Sequence, residues 1–137
     1  MIALDVSVLV AYLFEQDAHH DDAVRWVETW GPGSTCLSAL TLAECLVLPA
    51  RAGRAETVVD LLAGWETVVL PVTVEDAVGL ARLRAGSGLR MPDCVVVHAA
   101  MTVGAQLATF DSRLADVARS RGLSVVTLSR SSGSVRS

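Results

Sequence analysis

Met1-Ile2-Ala3-Leu4-Asp5-Val6-Ser7-Val8-Leu9-Val10 is an almost unbroken apolar run with one carboxylate at its centre. Such a run reads as a strand buried on both faces, the kind that sits in the middle of a parallel sheet. An unpaired carboxylate there costs several kcal/mol or is forced to take up a proton. Two explanations fit Asp5. It stands just past the strand end and caps the next helix, or it is one ligand of a cation whose other ligands come from elsewhere in the chain.

Working outward, residues 7–14 turn straight into a short helix, and Asp17 or Asp21 opens a second one reaching about Trp30. Gly31-Pro32-Gly33 ends it. Residues 34–37 form a short strand, and Ser38 or Thr41 starts a third helix that Pro49 bends or ends early. A fourth helix covers residues 54–63, and a β-rich strand covers 67–70. Thr73 to Asp76 opens a helix to about Ala85, with Gly86-Ser87-Gly88 as a loop. Pro92-Asp93 starts an apolar helix that Gly104 ends. A strand at 106–109, a helix at 111–121 and a strand at 124–128 complete the alternation, and the Ser/Gly/Arg-rich residues 129–137 read as a disordered tail. Strands alternating with helices point to one α/β domain over residues 1–128, a three-layer α/β/α sandwich on a mainly parallel sheet of four to five strands.

Composition narrows the function. With 137 residues, 52% hydrophobic side chains and a mean hydropathy of +0.48, the chain can bury a real core and cover both sheet faces. The longest charge-free stretches, 29–43 and 94–110, contain Gly, Pro, His or Gln and fall short of a membrane span. No basic region precedes the apolar start, so no secretory leader is expected. Cys36, Cys45 and Cys94 are odd in number and lack zinc-type spacing, which favours buried free thiols in a reducing cytoplasm. The net charge of −4 argues against a protein that coats nucleic acid generally, but not against an acidic site flanked by a local arginine patch. All 11 basic residues are Arg. Chemistry that needs a lysine is therefore excluded: P-loop phosphate binding, receiver-type phosphorelay, and haloacid-dehalogenase-like phosphatase action, which also wants an aspartate where Ser7 stands.

Four acids converge on one sheet edge if the strands are parallel: Asp5 after the first strand, Glu44 one turn into the helix after the second, Asp93 at a helix start, and Asp111 after the 106–109 strand. Crowded carboxylates repel, and a divalent cation with a preference for oxygen ligands relieves that repulsion. Each acid also has a plainer explanation. Thr41-x-x-Glu44 fits a capping box, Asp93 suits a first helical turn, and Asp111 suits a cap. Thr73-x-x-Asp76 has the same signature, and there capping suffices. Arg51, Arg54, Arg90 and Arg113 lie near the loops of the acidic edge and are placed to grip phosphates, although each singly reads equally well as a solvated surface cation. Cys94 and His98, one helical turn apart, read as a packed core pair; His19-His20 read as exposed. Trp26 and Trp30 suit core or dimer packing better than base stacking, while Trp65 is left open.

Four stretches together resemble the PIN-domain ribonucleases, and within them the VapC-like toxins of toxin–antitoxin pairs. They are Leu4-Asp5-Val6-Ser7-Val8-Leu9-Val10, Ser38-Ala39-Leu40-Thr41-Leu42-Ala43-Glu44, Pro92-Asp93-Cys94 with Ala99-Ala100 and Gly104, and Leu107-Ala108-Thr109-Phe110-Asp111. The likeness runs to about Leu128. It implies metal-binding catalytic roles for Asp5, Glu44, Asp93 and Asp111, with Asp5 and Asp111 as principal anchors and Ser7 and Thr109 as polar support. It further implies Mg²⁺ or Mn²⁺, an RNA substrate, a cognate antitoxin and a homodimer. Val6 departs from the commonest pattern, which has a small polar residue or Thr. The alternative is a PIN-like binding or assembly module that has lost catalysis.

Overall fold

The computed structural model describes residues 1–128; the tail expected to be disordered lies outside the described residues. Five short strands, β1 (Ile2–Leu4), β2 (Thr35–Ser38), β3 (Val68–Leu70), β4 (Gln106–Ala108) and β5 (Val125–Val126), form one sheet in the order β3-β2-β1-β4-β5. Every neighbouring pair is parallel. The sheet is thus wholly parallel, at the upper end of the expected strand count.

Period-two alternation divides the strand side chains between two cores. Ala3, Cys36 and Leu107 face Leu80 and Leu83 of helix α5 (Ala77–Ser87), Val95 to Val97 of α6 (Met91–Val103), and Leu114 of α7 (Ser112–Ser120). Ile2, Leu4, Leu37 and Ala108 face Val8 and Leu9 of α1 (Val6–Leu13), Trp26 and Trp30 of α2 (His20–Trp30), Cys45 of α3 (Ala39–Arg51), and Leu62 of α4 (Ala55–Gly64). Helices therefore cover both faces of the sheet, giving three layers.

The opening apolar run is shared between two elements. β1 ends at Leu4, Asp5 turns the corner, and α1 begins at Val6. The run stays apolar because the central strand is buried, as are Val8 and Leu9 of α1.

Two local expectations change. Pro49 does not shorten α3, which continues to Arg51; Pro49 is buried, so packing holds the last turn despite the missing donor. Gly86 and Ser87 do not form a loop. Buried Leu80 and Leu83 hold α5 helical through Ser87, and Gly88 (φ +75°) supplies the left-handed residue that ends it.

Among the described residues, no helix is long and apolar enough to cross a membrane. The three cysteines are free and buried, and burial pushes the Cys45 thiol up to about 11. They are packing residues, not nucleophiles.

Candidate active site

Topology places the four acids at the carboxyl ends of the strands. Asp5 follows β1, and Asp111 follows β4. Helix α3 starts directly from β2, so Glu44 lies in its second turn near that edge. Helix α6 must deliver the chain to the amino end of β4, so its first turn, with Asp93, sits at the carboxyl edge as well. β1 connects onward to β2 on one side and pairs with β4 on the other. Asp5 and Asp111 thus flank the point where the strand order reverses.

Asp5 occupies the backbone position of a cap for α1, but its side chain makes no capping bond. It turns instead toward β4 and is 6% exposed. Its Oδ2 accepts hydrogen bonds from Ser7 Oγ and Thr109 Oγ1, both at 2.7 Å. Each hydroxyl in turn accepts a backbone N–H: Phe110 N donates to Ser7 Oγ at 3.0 Å, and Asp111 N donates to Thr109 Oγ1 at 2.9 Å. Two short relays therefore run from the loop after β4 through a hydroxyl to the carboxylate. Ser7 and Thr109 hold both Asp5 and that loop. Asp5 Oδ1 accepts no hydrogen bond among the described residues.

Asp111 does cap its helix: its Oδ1 accepts from Arg113 N at 3.0 Å and Leu114 N at 3.2 Å. Its second oxygen carries no such bond. Glu44, in contrast, is no part of a capping box. Ser38 caps α3 by accepting from Leu40 N at 3.1 Å, and Thr41 lies buried inside the helix. Burying Thr41 starts the helix three residues earlier than the Thr41 capping box requires. Asp93 enters the first turn of α6 behind Pro92, its N–H donating to Arg90 O at 3.1 Å.

The electrostatics join the four. Partial burial, then Asp93 and Asp5, push the Glu44 carboxyl above its ordinary value, while Arg90 pulls it down. Burial, then Asp5 and Asp111, push Asp93 up, against Arg90 and Arg113. Each acid thus feels at least one other, and two arginines temper the cluster. Among the described residues, no three His, Cys, Asp or Glu side chains are already gathered closely enough to enclose a metal.

Arg90 and Arg113 stand at the site, and Arg113 Nη2 reaches Gly88 O at 3.4 Å. Arg51 ends α3 and Arg54 precedes α4. Seven residues separate Glu44 from Arg51, about 10 Å along the helix axis, so that pair is set back from the acids.

Other side chains depart from expectation. Cys94 lies in the core, its Sγ turned to Leu89 O at 3.7 Å, but His98 is only half-buried and pairs through Nε2 with Asp76 Oδ1 at 2.9 Å. Asp76 does complete the Thr73 capping box. The two histidines at 19 and 20 are half-buried. His20 Nδ1 lies 2.8 Å from Ala11 O, and His19 stacks on Phe110 with centroids 4.4 Å apart. Phe110 also stacks on Trp26 at 4.6 Å, which anchors the residue between Thr109 and Asp111. Sequence spacing does not reveal that stack, because Phe110 lies 84 and 91 positions from Trp26 and His19; the one local signal is an aromatic beside an acid. Trp65 is half-buried, and its Nε1 donates to Tyr12 OH at 3.1 Å.

The family model described as "PIN domain" matches residues 2–120. No curated relative matches the chain in sequence. Among solved structures, the VapC20 toxin of Mycobacterium tuberculosis, described as cleaving the sarcin–ricin loop, superposes with a TM-score of 0.73 at 19% identity, over 90% of this chain and 96% of that one. FitAcB from Neisseria gonorrhoeae gives 0.71 at 22% identity, covering 91% and 96%. A toxin–antitoxin complex from Klebsiella pneumoniae gives 0.69 at 20% identity, covering 82% and 88%.

Proposed function

The chain belongs to the PIN-domain family, and from that premise we propose that it is a metal-dependent endoribonuclease acting as the toxin of a toxin–antitoxin pair. The observation that carries this reading is the convergence of Asp5, Glu44, Asp93 and Asp111 from four separate elements on one sheet edge, with the proton affinity of Glu44 and Asp93 raised by burial and then by the neighbouring carboxylates.

The donor set suits a hard divalent cation. It is all carboxylate, and the buried Asp5 keeps Oδ1 without a donor while the relays fix its other oxygen. Asp5, Asp111, Glu44 and Asp93 would hold Mg²⁺ or Mn²⁺. Such an ion supplies stabilisation of charge at the scissile phosphate and a water acidic enough to react near neutral pH. The chain's own residues do the rest. Ser7 and Thr109 orient Asp5. Helix α3 carries Glu44 and α6 carries Asp93 to the mouth. Arg90 and Arg113, already within electrostatic reach of the acids, hold the RNA phosphates on either side.

Support for the toxin role comes from the superposed structures, one of which is described as a toxin–antitoxin complex and another as a toxin; a cognate antitoxin is the partner this predicts. Val47 and Leu48 on α3 and Val74 and Val78 around the start of α5 are exposed. That apolar surface supports a homodimer, which light scattering on the purified protein would test.

A second reading, a non-catalytic PIN-like module, draws on the capping bond of Asp111 and the unclosed acid group. One experiment separates the two. Purified protein freed of antitoxin should cleave RNA with Mg²⁺ or Mn²⁺, stop when the ion is chelated, and lose the activity in Asp5→Ala. A wild-type protein that binds no Mn²⁺ and cuts no RNA refutes the nuclease reading.

A further inference from the structure

The net charge of −4 conceals two opposite regions. Residues 1–70 carry 10 acidic and 3 basic side chains; residues 71–128 carry 5 acidic and 6 basic ones. Two of those five acids, Asp93 and Asp111, belong to the site above, and Asp76 is held by His98. Because α1 to α4 cover one face of the sheet and α5 to α7 the other, the asymmetry is spatial. The α5–α7 side is positive.

The arginines there are arranged along α5. At its carboxyl end, beside the acids, Arg113 Nη2 lies against Gly88. Two residues back, a β-carbon at Gly86 would stand 3.1 Å from Arg121 Nη2, so the guanidinium crosses α5 where the helix has no side chain. Beyond it opens a recess of about 400 Å³ lined by Gly79, Arg82, Leu83, His98, Met101 and Arg121. His98 closes its far end with Nε2 held by Asp76, and a β-carbon at Gly79 would sit only 2.7 Å from that ring. Gly79 and Gly86, one heptad apart, leave α5 bare on the side where these cations lie. The nine helical rises from Gly79 to Gly88 span about 13 Å, enough for a few nucleotides of single strand. Among the described residues, no carboxylate lies within 4 Å of the guanidinium of Arg82, Arg113 or Arg121, although the chain has more acids than bases.

We propose that this seam along α5 is a second contact surface for the RNA backbone, with Arg113 nearest the acids, then Arg121 and Arg82 binding phosphates outside the scissile position. The proposal rests on the nuclease reading and adds the path of the strand to it. An acidic protein can hold a polyanion in this way because its unpaired cations are collected on one side. Arg82 and Arg121 contact phosphate, not base edges, so they raise affinity without selecting sequence.

The test is binding of a single-stranded RNA oligonucleotide in chelator, read by fluorescence anisotropy over a salt series. The double variant Arg82→Gln/Arg121→Gln should bind about tenfold more weakly. Its plot of log affinity against log salt should be shallower by about 1.4, roughly 0.7 for each lost phosphate contact. In cleavage assays the loss should appear in KM. Arg25→Gln, on α2 and paired with Asp22, should leave the slope where it was. An unchanged slope in the double variant, or an equal loss in Arg25→Gln, overturns the proposal. RNA cleavage by wild type, run in parallel with Mn²⁺, keeps the two readings apart: cleavage together with an unchanged double variant rejects the seam alone, whereas absent cleavage rejects the nuclease reading.

Discussion

The inner and outer acids of the site are built on opposite principles. Asp5 is buried and locked, its Oδ2 held by two hydroxyls that are themselves tied to the backbone of the loop after β4. Glu44 and Asp93 accept no hydrogen bond among the described residues, and burial and neighbouring charge press them toward the protonated form. The inner carboxylate is held in place by hydrogen bonds that the fold itself supplies. The outer pair is destabilised by folding, and a cation is what would relieve them. Folding and function part company here: the inner residue serves both, and the outer ones oppose stability until the site is filled.

Neutralising one acid of each kind should separate the two most strongly. Asp5→Asn and Asp93→Asn should each lower metal-dependent RNA cleavage by at least about 10³-fold, roughly 4 kcal/mol of barrier. In protein free of metal their thermal stabilities should diverge. Asp93→Asn removes a repelled charge and should melt higher than wild type, while Asp5→Asn, which keeps an oxygen for both hydroxyls, should not. Melting curves that rise equally for both variants would erase the distinction between inner and outer acids.

The same contrast explains what could be read in the sequence. The sheet was legible because a strand buried on both faces has to be apolar, and Ile2-Ala3-Leu4, Cys36-Leu37 and Leu107-Ala108 all are. Convergence of the acids then followed from parallel strands. Local capping was less legible because several side chains compete for each helix start. Ser38 outcompetes Thr41 for α3, which freed Glu44 from the box its spacing suggested. Asp111 both caps and faces the cluster, so spacing could not separate the two roles. His98 was misplaced for a different reason. Its partner Asp76 is 22 positions away and Gly79 makes room for its ring, a pairing set by the antiparallel packing of α5 on α6 and invisible to helical periodicity. The basic seam stayed hidden because net charge averages over both sides of the molecule.

A smaller effect sharpens the comparison from the inner side. Thr109→Val is close to isosteric but removes the donor to Asp5 and the acceptor of the Asp111 N–H, and the residue is fully buried. Leaving that amide unpaired should cost about 1–3 kcal/mol. Loosening Asp5 should lower turnover by roughly 10–100-fold, the usual scale for a group that orients a ligand. The loss should fall on kcat, with RNA affinity in chelator unchanged, because Thr109 touches no phosphate. Stability lost without any loss of turnover would make Thr109 a packing residue only.

The smallest effect is the most diagnostic, because its sign reverses with conditions. Asp93 has a folded-state pKa raised above its unfolded value. Its contribution to stability is therefore fully present below the ordinary carboxylate pKa near 4 and is lost as pH rises through the folded value. Wild type should melt below Asp93→Asn at pH 7, by roughly 1–3 °C given the partial exposure of the group. The gap should close as the pH falls through the carboxylate range, where wild type regains its proton. Saturating Mn²⁺ at pH 7 should invert the order, since binding at a hundredfold excess over Kd adds about 2.7 kcal/mol to wild type and little to a variant lacking one ligand. Calorimetry at two pH values, with and without the ion, reads all three states. A variant that gains as much from Mn²⁺ as wild type does would mean Asp93 is strained by its neighbours for some reason other than a cation.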